Sequence, residues 1–484
     1  MYRDLREFID GVDRVGELRR VEGADPELEI GAITEVAAGS TSCPMLLFDS
    51  IKGYATGYRV VTNLLHTPRR VALAVGLPTD LQGAAFVKAW KEKFRKPSYL
   101  PPIEVKDGAI KENLIFGEDV DLFKFPVPKW HELDPGRYFG TGAITIIRDP
   151  ESGWVDCGIF RLQLHDRSTL GIYISTGRHV KVIAERYWSK GESCPIAVCT
   201  GADPAIFLAA AYAGVPFGIS EYEAAGGFRG KGVEVIKGEL TGLPIPASAE
   251  IALEGEIPPP EVESRVEGPF GEATGYYGSI PMNRPVIRVK CIMHRDNPIL
   301  HGAPPMKPFP GMQHFGINWR AAAIWSELER ADINGVVGVW QHGTNLTVIS
   351  LKQLHPGEAK RAAMVAASSH SLNLGRFIVV VDEDINPSNL TEVMWAVSTR
   401  CDPAESIDIV KGRTVDDIDP RIPRQDRLCG NITMSQILID ACRPYHWGDE
   451  FPIVNEASAD LKAKVVEKWE HVIFKTNRNQ ADQG

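Results

Sequence analysis

The stretch RVEGPFGEATGYYG, residues 265–278, holds two carboxylates, Glu267 and Glu272, five positions apart. Between them lies Gly-Pro-Phe-Gly, which does not belong in the middle of a helix. The acids therefore sit on a stiff turn with aromatic residues nearby. Two carboxylates in unlike surroundings can divide the roles of proton donor and electrostatic neighbour. The plainer alternative is a pair of solvated turn residues.

Three other segments carry candidate chemistry. In VDCGIFRLQLHD, 155–166, Arg161 sits in an otherwise apolar strand and needs an anion to offset its burial. Its fork can grip a carboxylate at two points, or form an ordinary ion pair on the strand surface. Asp156 and Arg161 have opposite parity, so a regular strand sends them to opposite faces. A bulge at Gly158 would change that phase. In STGRHVKVIAERYW, 175–188, Ser175 or Thr176 can cap a helix whose first turn holds Arg178 and His179. Such a helix start suits a phosphate, and its positive end disfavours protonated His179, leaving the ring free to ligate a metal. An ordinary capped surface helix is the alternative. In GISEYEAAGGFRG, 218–230, Ser220 and Glu223 have capping-box spacing, which makes Glu223 structural. Glu221 is either a first-turn acid or, with Asp156 and His179, part of an oxygen–nitrogen–oxygen set suited to Mn²⁺ or Mg²⁺ beside a phosphate.

No standard nucleotide or hydrolase signature competes with these residues. There is no P-loop, no strand-linked GxGxxG, no GxSxG and no HExxH, and GFRGKG at 227–232 has the wrong spacing.

The elements that must position them follow from the whole chain. At 484 residues it exceeds one ordinary core. A net charge of -10 without a basic stripe argues against nucleic-acid binding. No apolar run reaches the roughly 18 residues of a membrane span. The charged start MYRDLREFIDGVDRVGELRR does not read as a signal peptide or anchor. Eight scattered cysteines without a CxxC pair suit a reducing cytoplasm.

Residues 1–110 read as a mixed α/β segment. Leu5, Phe8, Ile9 and Val12 make one helical face, 45–51 and 58–65 read as strands, and 67–77 and 88–95 read as helices. Residues 111–310 are strand-dominated with Gly/Pro punctuation, which suits a closed or split β-barrel better than a Rossmann sheet. Residues 311–330 read as a linker helix. Residues 331–484 read as a ββαβαβ sandwich with a tail helix whose Leu461, Val465, Val466, Trp469 and Ile473 share a side. That tail docks on a partner subunit or on its own domain.

Taken in order, FPVPKWH, GRYFGTGAITI, CGIFRLQ, GRHVKVIAERYW, DPAIFLAA, PFGISEYEAAGG, IPASAEIALEGEI, EGPFGEATGYYG, VDEDI and EVMWAVSTR resemble the UbiD family of decarboxylases. The likeness runs through most of the chain, and its specificity lies in the ordered set. It implies an α+β, α/β multidomain fold: an N-terminal α/β segment, a central split β-barrel of the flavin reductase type, and a C-terminal α/β oligomerisation domain. It implies a carboxy-lyase using prenylated FMN, with Mn²⁺ or Mg²⁺ and K⁺ as accompanying cations. The family's Arg-Glu-Glu trio falls on Arg161, Glu267 and Glu272. Its metal ligands fall on Asp156, His179 and Glu221. Its cofactor contacts fall on Asp156, Cys157, Gly158, Ile159, Phe160, Arg161, Arg178, His179 and Glu221. Many members carry Asn in place of Asp156, and the ferulic acid decarboxylases carry Gln in place of Arg178.

The reaction implied is reversible, non-oxidative decarboxylation of an aromatic or α,β-unsaturated acid through a covalent adduct with the prenylated flavin. Glu272 would donate the proton, its pKa raised by apolar surroundings to which Phe270, Tyr276 and Tyr277 contribute. Arg161 would orient the carboxylate and Glu267 would hold the fork. A small aromatic acid is favoured over an acyclic polyenoic acid, and a metal- or flavin-dependent hydrolase is the alternative of another class. HGAPPMKPFPGMQHFG, 301–316, is expected to face the substrate through Met306, Phe309, Met312 and Phe315, with a domain-interface role for these residues as the alternative. A flavin prenyltransferase as cofactor supplier and a homodimer complete the expectation.

Overall fold

The computed structural model describes residues 2–95, 98–175, 178–212, 215–308, 317–372 and 374–474. The chain divides into two units, Met1–Cys442 and Arg443–Gly484.

The first unit opens with the helix Leu5–Arg14, started by Asp4, whose carboxylate accepts the Glu7 N–H at 2.9 Å. It buries the expected face of Leu5, Phe8, Ile9 and Val12. The helices Pro68–Val75 and Gly83–Lys93 follow in the expected region. The strands Leu18–Glu22, Met45–Asp49 and Arg59–Thr62 form a small sheet in that order. Its fourth strand, Ile299–His301, comes from far along the chain and pairs parallel to Arg59–Thr62.

The central sheet has ten strands and curls almost into a barrel. Its path runs Tyr138–Gly140, Leu162–Leu164, Thr169–Ile172, Met282–His294, Ile251–Ile257, Cys194–Thr200, Ala143–Arg148 and Val155–Ile159. Asn113–Phe116 and Ser264–Glu267 each pair with the long strand Met282–His294. Both faces of the sheet are covered. Along Cys194–Thr200, Ile196 and Val198 join one apolar core while Ala197 and Cys199 join the other. That alternation is the two-residue period of a strand buried on both sides.

One expectation is corrected here. VDCGIFRLQLHD is not one strand with a bulge at Gly158. Val155–Ile159 pairs with Ala143–Arg148 in unbroken register, and the chain then breaks at Phe160 and Arg161 before Leu162–Leu164. Gly158 has a different purpose: a Cβ there would lie 2.5 Å from the Phe160 ring.

The helix Ile317–Arg330 leads into a five-stranded sheet ordered Val336–His342, Leu346–Leu351, Phe377–Asp382, Thr433–Ala441, Ile407–Thr414. The helices Glu358–Ala367 and Leu390–Arg400 fall where expected. Thr433–Ala441 is additional to the ββαβαβ reading and fills an interior place in the sheet.

In the second unit the helix Ala459–Ile473 is capped by Ser458. None of its residues is buried, including Leu461, Val465, Val466, Trp469 and Ile473. All eight cysteines are free thiols. No helix among the described residues is long and apolar enough to cross a membrane.

Candidate active site

The break after Ile159 turns Arg161 out of the sheet and toward the turn that follows Ser264–Glu267. Its Nε and Nη2 donate to the two oxygens of Glu267 at 2.7 and 2.8 Å, a bidentate grip on a fully buried carboxylate. Its Nη1 donates to Glu272. Tyr138 adds a third hydrogen bond, donating to Glu267 Oε1 at 3.1 Å. Burial opposes the Arg161 charge, but Glu272 and Glu267 outweigh it and hold the guanidinium firmly protonated.

The turn itself needs glycine. Gly268 has φ +85°, which reverses the chain straight after Glu267. Phe270 is buried and stacks on Tyr138 with ring centroids 4.1 Å apart. Glu272 anchors its own loop, its N–H donating to the Tyr276 carbonyl at 2.9 Å. Burial pushes the Glu272 carboxyl up to about 7; Arg161 pulls against this, and Glu267 and Asp416 push with it. Among the rings expected around Glu272, Phe270 fits; Tyr276 is 64% exposed and does not.

The second cluster is looser. Asp156 is buried on Val155–Ile159, and its Oδ1 lies 3.0 Å from His179 Nδ1. Glu221 opens the helix Glu221–Arg229 and accepts the Cys157 N–H at 2.8 Å. Ser220 and Glu223 form the expected capping box behind it. Burial raises the Glu221 carboxyl, and Asp156 raises it further. His179 is also raised, first by its hydrogen bond to Asp156 against the opposing burial. The direction is opposite to the one expected from the helix end alone. Nor does Ser175 cap this helix: Arg178 occupies the cap position with φ −81° and ψ 142°, and Thr176 lies outside the described residues.

Among the described residues no three His, Cys, Asp or Glu groups are gathered closely enough to hold an ion. The donor chemistry nevertheless fits a hard divalent cation, because two buried carboxylates crowd each other beside one imidazole.

A cavity of about 1000 Å³ opens beside Arg161 and Glu272. Ile159, Phe160, Arg161 and Arg178 line it, as does Glu272. Asp156, Cys157, Gly158, His179 and Glu221 do not line it, and the Cys157 thiol is locked in the core. Met306 lines the cavity as expected, whereas Phe309, Met312 and Phe315 lie outside the described residues.

The opposite wall is what sequence reasoning missed. It comes from the C-terminal sheet region, through Trp340, Gln341, Asn345, Asp416 and Ile418, and from Arg320 of the helix Ile317–Arg330. Burial and Arg178 push Arg320 down to about 10. A cluster of three acids, VDDID at 415–419, was the one available signal for the Asp416 segment.

Three family models match the chain in succession, all described as parts of a 3-octaprenyl-4-hydroxybenzoate carboxy-lyase. They are the N-terminal domain over residues 9–90, the Rift-related domain over 103–308 and the C-terminal domain over 313–441. A pyrrole-2-carboxylic acid decarboxylase of Pseudomonas aeruginosa is 33% identical over 83% of this chain and 83% of its own. A phenolic acid decarboxylase of Bacillus subtilis is 32% identical over 87% and 89%. Among solved structures, the enzyme HmfF of Pelotomaculum thermopropionicum in complex with FMN superposes with a TM-score of 0.83 at 32% identity, covering 95% of this chain and 98% of its own. An evolved dimeric form of HmfF in complex with prFMN gives 0.80 at 31% identity, with the same coverage. These likenesses favour a carboxy-lyase over a hydrolase.

Proposed function

The chain belongs to the UbiD family of carboxy-lyases, and on that footing we propose that it decarboxylates a small aromatic or heteroaromatic acid with prenylated FMN seated in the cavity of about 1000 Å³. The observation that carries the reading is the Arg161 fork, held on two nitrogens by Glu267 while a third meets Glu272, a carboxyl raised to about 7. The volume suits a flavin and a small ring together.

Loss of CO₂ leaves an electron pair on an sp² carbon, and the bound flavin supplies the sink for it. The protein supplies position and a proton. The substrate arrives as an anion and CO₂ leaves neutral, so each turnover consumes one proton. Arg161 keeps a second N–H on each of Nη1 and Nη2, and a substrate carboxylate taken there would share the cation with Glu272. Sharing the cation weakens its pull on Glu272 and favours the protonated form. Glu272 then stands beside the reacting carbon as the acid.

Asp156, His179 and Glu221 would hold Mn²⁺ or Mg²⁺, which would neutralise phosphate charge, with Arg178 on the cavity wall as a further cationic contact and K⁺ as a second cation. We assign the cytoplasm as the setting, with all eight cysteines as thiols, a flavin prenyltransferase as cofactor supplier, and a homodimer as the assembly. The ring acids named for the pyrrole and phenolic relatives support a ring substrate over an acyclic one. The test is to make the protein together with a flavin prenyltransferase and follow CO₂ release from pyrrole-carboxylic and phenolic acids. Release from at least one is expected. An ordinary FMN spectrum and no CO₂ from any would overturn the proposal.

A further inference from the structure

We infer that Tyr173 and Asp417 form a positioning pair that ties Arg161 to the C-terminal wall of the cavity. This deepens the decarboxylase reading and rests on it. Tyr173 follows the barrel strand Thr169–Ile172 and is 9% exposed. Its ring lies 4.0 Å from the Arg161 guanidinium carbon and 4.5 Å from that of Arg284. Its hydroxyl donates to Asp417 Oδ2 at 2.6 Å, across 244 positions of sequence. Burial and Asp417 both hold that hydroxyl in its protonated, donating form.

The geometry gives the pair a task the carboxylates cannot perform. Glu267 grips Arg161 along the edge of its plane, which fixes rotation within the plane. Tilt out of the plane is limited by ring contacts, of which Tyr173 at 4.0 Å is nearer than Phe270 at 5.5 Å. Asp417 holds the Tyr173 ring from the other domain. Its neighbours reach further: Asp416 and Ile418 line the cavity, and a Cβ on Gly278 would meet the Ile418 carbonyl at 2.5 Å. The short segment 416–418 thus packs against the loop that bears Glu272 as well as the tyrosine beside Arg161. Sub-ångström placement of both acid and clamp depends on it.

The experiment uses holoenzyme made with a flavin prenyltransferase and compares the parent with Tyr173→Phe, Asp417→Ala, the double variant and Asp417→Asn. Tyr173→Phe keeps the ring and removes the link. Its kcat/KM is expected to fall about tenfold, chiefly through KM, with flavin content unchanged. The double variant should be no worse than Tyr173→Phe, and Asp417→Asn, which still accepts the phenol proton, should stay within about threefold of the parent. A Tyr173→Phe kcat/KM within about twofold of the parent, even with a lowered Tm, would reduce the pair to domain packing and overturn the inference. Losses that multiply in the double variant would do the same. A parent that turns over no acid would instead sink the decarboxylase reading. In that case the Kd for benzoate in parent and Tyr173→Phe decides the point, equal values overturning the pair.

Discussion

Two clusters in the barrel have nearly the same composition and opposite character. Glu267, Glu272 and Arg161 are two acids and a base; Asp156, Glu221 and His179 are two acids and a base. In the first the base is a guanidinium, charged at every accessible pH, and it satisfies both acids with in-plane hydrogen bonds. In the second the base is an imidazole that reaches one acid, and the other, raised by burial and then by Asp156, has no cation bonded to it among the described residues. The first cluster is complete without help. The second has a surplus of buried negative charge that an external cation would relieve. The difference is one of side-chain chemistry, and it underlies the proposal of a reaction centre at the first cluster and a cation seat at the second.

The largest test of this contrast is Glu272→Gln. It preserves shape and the flavin seat but removes the proton, and turnover should fall on the order of 10²–10⁴-fold with flavin content unchanged. Full activity would remove Glu272 from the chemistry. In the parent the same carboxyl sets a pH limit. Because its pKa is raised to about 7, the acid form is present below that value and is lost above it. The rate should fall as pH rises through about 7, approaching tenfold per unit. A flat profile to pH 9 would contradict this.

Next in size is Arg161→Ala, which strands the fully buried Glu267 without its cation. Breaking a buried pair in this way should cost about 3–5 kcal/mol, read as a shift in denaturant midpoint at constant slope. A cost near zero would mean that the completeness of the first cluster is only apparent. For the second cluster, Mn²⁺ at 100 times its Kd should stabilise the flavin-free protein by about 2.7 kcal/mol, read from Tm. Replacing Glu221 by Gln should abolish that gain, whereas Glu272→Gln should leave it intact. The smallest effect is expected for Asp156→Asn, which removes one negative charge while keeping an oxygen donor. Mn²⁺ affinity should drop about tenfold by calorimetry. An increase would reverse the sign assigned to the charge.

The sequence carried the contrast only in outline. Glu267 and Glu272 on a glycine-proline turn, and an arginine among apolar neighbours, were readable because each violates what its local element prefers. The strand-rich middle and the alternating tail were readable because their periods are local. What could not be read was where distant pieces meet. VDCGIFRLQLHD looks like one strand, and only the packing of Phe160 over Gly158 shows why it breaks before Arg161. Thr433–Ala441 was missed although its odd and even positions differ, since its partners lie far along the chain. Tyr173 and Asp417 carry no motif at all.

What the sequence by itself determined is the chemistry available: two acids at fixed spacing, one permanent cation, and a donor set of oxygen and nitrogen. Those follow from side-chain identity and short-range backbone limits. Only the tertiary structure decided which acids share the cation, which stay crowded, and that a segment at 416–418 closes the cavity. Those outcomes depend on burial and on contacts across hundreds of residues: Glu267 receives two Arg161 nitrogens and the Tyr138 hydroxyl, whereas Glu272 receives one Arg161 nitrogen and burial raises its carboxyl to about 7.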